Sequence, residues 1–324
     1  MLRNVCKCLS RLSYIGGLRL CVKLVLVLVL VLGLSVSSVW AEEPDQSARL
    51  WLVNMSNALK EFSYQGVFVH WSKDGLAAMH VMHVVDELGE HEYLTTLTGP
   101  ERRVVRDSSG FDRLKVKGAA ESSLSHELER IEKFYKLTLL EKARVAGRVA
   151  QLLEVRPLDE FRYGYRLWLD EGTALLLKSN LMDLDGTVLE QVMFTSMDID
   201  HAGELKPPTT LLPEKKHGQS NLVTQDSAWL VSDVPPGFEM VSTHYSDEGR
   251  VEHMTYTDGL ASVSVFIEKL VEETPSFVGV SRMGVVSAYG ARLEGYQVTV
   301  VGEVPESTVR LMGTSIRSRM GVQP

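Results

Sequence analysis

Residues 148–170 read RVAQLLEVRPLDEFRYGYRLWLD and contain the pattern that decides the fold. Two runs in which apolar and polar residues alternate, 148–156 and 161–169, stand on either side of a short connection. Alternation with a period of two is typical of a strand that buries one face. Two such runs joined by a few residues indicate antiparallel neighbours. The stretch therefore predicts two paired β-strands.

The same alternation continues on both sides of this pair, and short turns that contain Gly or Pro separate the runs. Strands spaced by about ten residues and joined by short turns are typical of an antiparallel meander that closes into a barrel or half-barrel. Residues 48–62 come first and carry apolar residues at helical spacing, which predicts a helix. The other candidate strands are 64–72, 78–86, 91–97, 102–107, 111–117, 137–144, 174–184 and 187–197.

Two segments interrupt this pattern. Residues 118–135 are polar and charged, and we interpret them as either a short surface helix or a mobile flap over the barrel mouth. Residues 202–224 contain Pro207, Pro208 and Pro213 and show neither the helical nor the strand periodicity, which is typical of an extended linker.

A second, α+β unit follows the linker. Its predicted strands are 238–245, 251–257, 260–269, 279–289 and 296–301, with a closing helix at 306–316.

The first 41 residues have the layout of a secretory signal peptide. Five basic residues precede the apolar run LVLVLVLVLGL (24–34), and Val39-Trp40-Ala41 resembles a cleavage site. The alternative is an uncleaved membrane anchor, for which the apolar run is short. We therefore expect an exported chain that begins at Glu42. The expected organisation is a signal peptide (1–41), a large domain (42–201), a linker (202–226) and a small domain (227–324).

Composition excludes several classes of function for the mature chain. Cys6, Cys8 and Cys21 all lie in the leader, so the rest of the chain has neither a disulfide nor a thiol nucleophile. Without the leader's five basic residues, 29 basic and 42 acidic residues remain, a formal net charge of −13. Nucleic-acid binding depends on Lys and Arg at phosphates, so an acidic chain without a basic stripe is not expected to bind nucleic acid.

A search for catalytic and metal sites finds ordinary structural patterns. His80 and His83 lie three apart on a strand and so face opposite sides. Residues 183–186 begin like a calcium loop, but Phe194 occupies the position of the required glutamate, so a hairpin turn is the better interpretation. Asp198 and Asp200 are compatible with a solvated strand end. We expect no enzyme activity, cofactor or metal.

Apolar side chains of one parity on several strands are candidates for a lipid-binding cavity. An unclosed antiparallel barrel encloses a ligand when its strands leave interior volume, and it forms an ordinary core when a helix fills that volume. Parity alone favours the ordinary core, and both interpretations remain open. The candidates are Val67, Val69, Leu153, Val155, Tyr165, Leu167 and Leu169.

The chain beyond the leader resembles the MucB/RseB family along almost its whole length. The most specific blocks are 144–157 with Tyr163-Gly164-Tyr165, and 258–268 with Gly302-Glu303-Val304-Pro305. The other matching stretches are FSYQGVFVHW (62–71), GPERRVVR (99–106), LKSNLMDLDGTVLEQVMFT (177–195), PPGFEMV (235–241) and VTVVGEVPESTVRLMGTSIR (298–317).

The resemblance implies a fold and a function. The implied fold is α+β and mostly β: an unclosed half-barrel with packed helices, like periplasmic lipoprotein carriers, plus a smaller α+β domain. The implied partner is the periplasmic region of a membrane-bound, MucA/RseA-like anti-sigma factor, which the protein shields from the site-1 protease. Lipid or lipopolysaccharide acyl chains would release that partner, and homo-oligomers are also implied.

Two other classes of function compete with this one. A periplasmic lipid or lipoprotein carrier would use the same cavity for transport, but it would not need the linker and second domain. A secreted hydrolase would need a catalytic arrangement that the sequence does not contain.

Overall fold

The computed structural model describes residues 46–87, 89–107, 122–206, 227–246, 250–270 and 276–319, all within a compact unit that begins at Pro44. The leader, residues 207–226 of the expected linker and the predicted strand 111–117 lie outside the described residues. No helix in the described part of the chain is long and apolar enough to span a bilayer.

The described N-terminal residues form a mostly β structure with two helices. The predicted helix at 48–62 is confirmed as α1. The elements are α1 (Gln46–Glu61), β1 (Ser63–Ser72), β2 (Gly75–Asp86), β3 (Gly89–Thr96), β4 (Arg103–Asp107), α2 (Ser122–Phe134), β5 (Tyr135–Leu139), β6 (Ala143–Val145), β7 (Arg148–Pro157), β8 (Gly164–Asp170), β9 (Leu176–Met182) and β10 (Val188–Asp200).

These strands build one antiparallel sheet in the order β4-β3-β2-β1-β10-β9-β8-β7-β5, with β6 paired to β7. The first and last strands, β1 and β10, lie side by side and join the two halves of the meander. Gly66 is required at this pairing, because a Cβ there would lie 2.3 Å from the carbonyl oxygen of Ser196. In the described part of the chain β4 and β5 remain edges, which confirms an unclosed sheet.

Both helices cover the same face of this sheet. Helix α1 buries Ala48 and Leu52, which are four residues apart and therefore share one side of the helix. Helix α2 begins within the polar segment 118–135, so the helical interpretation of that segment is confirmed for its described part. Its side chains Leu128 and Ile131 are buried, so this helix packs against the sheet on one side.

The C-terminal residues form a second antiparallel sheet, a two-stranded pair and one helix. The elements are β11 (Trp229–Val231), β12 (Glu239–Ser246), β13 (Val251–Thr257), β14 (Ser262–Lys269), β15 (Gly279–Met283), β16 (Val286–Leu293), β17 (Tyr296–Gly302), α3 (Glu306–Thr314) and β18 (Ile316–Ser318). The sheet has the order β12-β13-β14-β17-β16-β15, and the β11-β18 pair lies beside it. Helix α3 packs on β16 so closely that a Cβ at Gly313 would lie 2.1 Å from the Tyr289 ring.

Most predicted elements match the structure to within three residues at each end; the strand predicted at 161–169, for example, begins at Gly164 as β8. Three predictions also missed a break or a change of element. The single strand predicted at 279–289 is wrong: Gly284, with φ +61°, makes a turn between β15 and β16, and apolar residues on both sides concealed it. The strand predicted at 137–144 breaks into β5 and β6 around the exposed residues 140–142. The helix predicted at 306–316 ends at Thr314, after which Ile316 pairs with Val231 of β11.

Candidate functional site: an apolar core joined to a buried charged contact

Five of the seven predicted cavity residues share the helix-covered face of the N-terminal sheet. Four of them are at most 9% exposed, and Tyr165 packs partly buried against the same cluster. Neighbouring strands bring them together, since Leu153 pairs with Leu167 and Val155 pairs with Tyr165. The four buried residues are Leu153, Val155, Leu167 and Leu169.

The structure does not bring Val67 and Val69 to this cluster. Both are half-buried on β1, whose side chains alternate between the two faces. Tyr64 and Phe68 belong to a core cluster with Phe194, so the two valines face the other side of the sheet. Parity in a single strand could not reveal this difference, because it does not say which side the helices cover.

Side chains of both helices pack against the five residues on the covered face. Ala48 and Leu52 of α1, together with Leu128 and Ile131 of α2, pack into the same buried cluster. We name this cluster the N-terminal core; Tyr135 and Leu137 of β5 complete its buried members. The packing is that of an ordinary apolar core, and a lipid-binding role for its residues stays a prediction.

One residue of the C-terminal sheet also packs against the N-terminal core. Leu260 lies in the turn between β13 and β14 and contacts this cluster while remaining half-buried. The turn falls between the predicted strands 251–257 and 260–269, and Gly259 in it has φ +101°. We name residues 258–261 the Asp258 turn. It is the point at which the second sheet reaches the core of the first.

A buried ion pair fixes the Asp258 turn to the N-terminal sheet. The Nη1 atom of Arg162 donates to Oδ2 of Asp258 at 2.7 Å, and both side chains are fully buried. The hydroxyl of Tyr135 donates to the same oxygen at 2.9 Å. Charge-assisted hydrogen bonds of this length are among the strong ones in proteins. Two donors of the first sheet thus converge on one carboxylate oxygen of the second.

The other two nitrogens of Arg162 also donate hydrogen bonds. Its Nε donates to Asp159 at 3.0 Å and its Nη2 to the backbone carbonyl oxygen of Pro236 at 2.5 Å. The guanidinium lies 4.8 Å from the ring centre of Phe134 and 5.1 Å from that of Phe238. A buried charge is costly unless it is paired and hydrogen-bonded, and these contacts offset the cost of burying the guanidinium.

The remaining oxygen of Asp258 shapes its own turn. Oδ1 accepts hydrogen bonds from the backbone N–H groups of Leu260 and Ala261 at 2.9 and 2.7 Å. Burial raises the pKa of the Tyr135 phenol above its ordinary value, and the nearby Asp258 carboxylate raises it further. Tyr135 is therefore protonated at physiological pH and acts as a donor to the carboxylate.

The connection between β7 and β8 carries Arg162 and contacts the C-terminal residues along most of its length. We name residues 158–163 the β7–β8 loop. The hydroxyls of Ser307 and Thr308, at the start of α3, donate to the carbonyl oxygens of Glu160 and Phe161 at 2.8 and 2.6 Å. Tyr163, which follows Arg162, is buried in a cluster that includes Val285 from the C-terminal sheet.

A polar pair of the first sheet lies near the start of β10. His70 of β1 is 3.3 Å from the carboxylate of Glu190 on β10. Partial desolvation raises the pKa of Glu303, which follows β17, and the Glu190 carboxylate raises it further, while His70 lowers it. Charged groups of the first sheet therefore act on a carboxyl group at the end of β17.

The patterns set aside in the sequence have structural roles. His83 stacks on Tyr64 and is 2.8 Å from the carbonyl oxygen of Leu59. Residues 183–186 form the β9–β10 turn, and the Asp200 carboxylate accepts backbone N–H bonds of the loop after β10. Among the described residues, no three His, Cys, Asp or Glu side chains are grouped so that they could hold a metal ion.

Sequence reasoning missed the role of Arg162 and Asp258. Arg162 directly precedes Tyr163-Gly164-Tyr165 and Asp258 opens the block 258–268, but an arginine in a loop and an aspartate in a turn are ordinary there. Their pairing links positions 96 residues apart, so no local pattern could indicate it.

Two family models match the chain in consecutive regions. The model described as the MucB/RseB N-terminal domain matches residues 47–216, and the MucB/RseB C-terminal domain model matches residues 223–317. Together they span most of the 324 residues.

Known relatives match over most of their own length. The Sigma factor AlgU regulatory protein MucB of Pseudomonas aeruginosa is 33% identical, and the match covers 84% of this chain and 92% of that protein. The Sigma-E factor regulatory protein RseB of Haemophilus influenzae is 24% identical over 89% of this chain and 96% of its own.

Solved structures agree with these matches. The structure of the Pseudomonas aeruginosa MucA/MucB complex contains a chain that is 32% identical to this one, with a TM-score of 0.64, covering 84% of this chain and 99% of that chain. A crystal structure of MucB gives a TM-score of 0.61 at 31% identity, covering 85% and 98%. The resemblance seen in the sequence is confirmed, and this chain belongs to the MucB/RseB family.

Proposed function

We propose that this protein restrains an envelope-stress sigma factor by binding the periplasmic region of a membrane-bound anti-sigma factor. Bound there, it shields the anti-sigma factor from the site-1 protease that begins its destruction. The observation that carries this proposal is the likeness, over 84% of the chain, to a MucB chain solved in complex with MucA. The role is one of occupancy, without a catalytic step.

The proposal includes a location and a domain organisation. The chain is exported to the periplasm, and its leader is removed after Ala41. Residues 42–201 and 227–324 act as a large and a small domain, with 202–226 as the linker between them. This division is supported by the two separate sheets and by the two family models, which meet between residues 216 and 223.

Release by a lipid-like signal is the second part of the proposal. If an acyl chain and the anti-sigma peptide favour different arrangements of the two sheets, each lowers the affinity for the other by the same factor. A coupling of ~1–3 kcal/mol changes affinity ~5- to 150-fold, which is enough to switch occupancy. The contact between Leu260 and the N-terminal core supports such coupling, because it makes the core and the position of the second sheet depend on one another.

A pull-down from an envelope extract tests the proposal. Immobilised residues 42–324 should retain a single-span membrane protein, and added lipopolysaccharide should reduce the amount retained. Purified site-1 protease should then cleave that membrane protein more slowly when residues 42–324 are present. Equal cleavage with and without the chain would contradict shielding. Retention of lipid together with lipoproteins, and of no anti-sigma factor, would favour the carrier alternative.

A further inference from the structure

Two histidines of the second sheet face one another on the side of the sheet opposite to its core. His244 of β12 is paired directly with His253 of β13, and both side chains are half-buried. The next residue of β13, Met254, is buried in the core of the second sheet, so alternation along the strand places His253 on the other face. The centres of the two imidazole rings are 6.3 Å apart. We name these two residues the histidine pair.

Neighbouring side chains orient the ring of His253. The ring stacks on Phe266 of β14, with ring centres 4.2 Å apart and an angle of 14° between the ring planes. Among the described residues, both hydrogen bonds of His253 use Nε2, which lies 2.9 Å from the Ser264 hydroxyl and 3.4 Å from that of Thr255. The tautomer with its hydrogen on Nε2 donates to Ser264 and leaves the lone pair of Nδ1 for a ligand. Histidines that bind metal ions almost always donate their other ring N–H to a neighbouring acceptor.

His253 also has the protonation state that a metal ligand needs. Burial lowers the pKa of its imidazole below the ordinary value, and the nearby His244 lowers the pKa further. Histidine binds a metal ion as the neutral imidazole. Because His253 is neutral at pH 7, an ion that binds there does not have to displace a proton from this ring. Orientation and protonation state therefore both prepare His253 to bind a metal ion.

We propose that the histidine pair is a binding site for a divalent transition-metal ion that prefers imidazole ligands, Zn²⁺ or Cu²⁺, with water molecules completing the coordination. Zn–N bonds are ~2.0–2.1 Å long, so two imidazoles that share a tetrahedral ion have ring centres roughly 5 Å apart. From 6.3 Å, the His244 ring has to move toward His253 by roughly 1 Å to share such an ion. His244 lies on β12, an end strand in the sheet order, so the ion fastens this edge strand to β13.

Titration calorimetry of residues 42–324, purified without a histidine tag, tests for the site. Zn²⁺ and Cu²⁺ are titrated separately in an excess of Ca²⁺, which prefers oxygen ligands and therefore occupies acidic surface groups instead. Both ions should bind saturably, with one ion per chain, and Cu²⁺ should bind more tightly than Zn²⁺, as it generally does at nitrogen ligands. Saturable binding of Cu²⁺ alone would assign the site to copper. Failure of both ions to bind would overturn the proposal.

Substitution of each histidine locates the bound ion. His244→Asn and His253→Asn should each weaken binding by about 10-fold or more, since loss of even an outer partner of a metal-binding histidine typically costs about 10- to 100-fold in affinity. His91→Asn is the matched control. His91 also lies on a strand of an antiparallel sheet, and its Nε2 is 3.4 Å from a carboxylate oxygen of Asp86, so it offers a competing pair of ligands. This control should leave the metal affinity unchanged.

Nuclear magnetic resonance of the unsubstituted protein keeps the proposal testable if a variant does not fold. In ¹H–¹⁵N spectra of the imidazole groups, Zn²⁺ should shift the signals of His244 and His253 and leave those of the other histidines unchanged. The proposal is overturned if Zn²⁺ shifts other histidines instead, if neither substitution in the histidine pair changes the metal affinity, or if His91→Asn weakens binding equally. These measurements contain no anti-sigma factor, so their outcome is independent of the proposed function.

Discussion

Replacement of Arg162 by methionine should destabilise the protein more than any exposed ion-pair substitution in the same sheet. The change leaves the Asp258 carboxylate fully buried, with the Tyr135 hydroxyl and two backbone N–H groups but without a countercharge. Removing one partner of a buried pair costs about 3–5 kcal/mol, because the remaining charge is uncompensated. For a domain of about 150–250 residues each kcal/mol lowers Tm by roughly 2–4 °C, so we expect a loss of about 6–20 °C.

Urea unfolding and thermal denaturation of residues 42–324 measure this effect. Arg166→Met is the matched control, since Arg166 is 40% exposed and its ion pair with Glu154, at 2.9 Å, should contribute about 0–1 kcal/mol. The double variant Arg162→Met with Asp258→Asn should recover at least about 1 kcal/mol of the loss, because contacting residues are not additive. A loss below about 1 kcal/mol for Arg162→Met, or strict additivity in the double variant, would refute this account of the contact.

Three further predictions concern other positions in the described structure. Gly237→Ala should cost more stability than Gly186→Ala: both positions have positive φ, but a Cβ at Gly237 would lie 2.4 Å from an α2 aromatic ring and one at Gly186 would meet nothing. Equal unfolding free energies would contradict the close packing. Glu303→Gln should stabilise the protein at pH 7. Desolvation raises the pKa of Glu303 in the folded state. The unfolding free energy therefore falls as the pH rises from below the ordinary glutamate pKa through the raised pKa. The substitution should flatten that part of the profile of unfolding free energy against pH. Leu153→Ala should lower the free energy of urea unfolding by about 2–5 kcal/mol, because Leu153 is fully buried. Val149 is 49% exposed on the same strand, so Val149→Ala should cost less than about 0.5 kcal/mol. Similar costs for the two substitutions would show that the core does not lie at Leu153.

Local periodicity predicted most of the strands because each one buries a single face. In β7 the buried residues Leu153 and Val155 alternate with half-exposed ones, which is the pattern that a period of two describes. The prediction failed where a turn preserves that alternation, as at Gly284. It also failed where a helix ends and the chain continues into a short strand, as at Ile316.

The site was less predictable than the fold, because its residues are joined only by tertiary contacts. Parity identified Leu153 and Leu169 as buried, but it could not show that α1 and α2 cover them. It also grouped Val67 with them, although β1 directs that side chain to the other face. The pairing of Arg162 with Asp258 depends on how the two sheets meet, which neither local spacing nor composition records.

Binding of the purified periplasmic region of the organism's own anti-sigma factor to residues 42–324 tests the central claim most directly. Titration calorimetry should show a saturable complex, and added lipopolysaccharide should lower that affinity by about 5- to 150-fold. The absence of binding by a folded protein would contradict the proposed regulation. An anti-sigma factor affinity that is unchanged at saturating lipopolysaccharide would contradict release of the anti-sigma factor by a lipid-like signal.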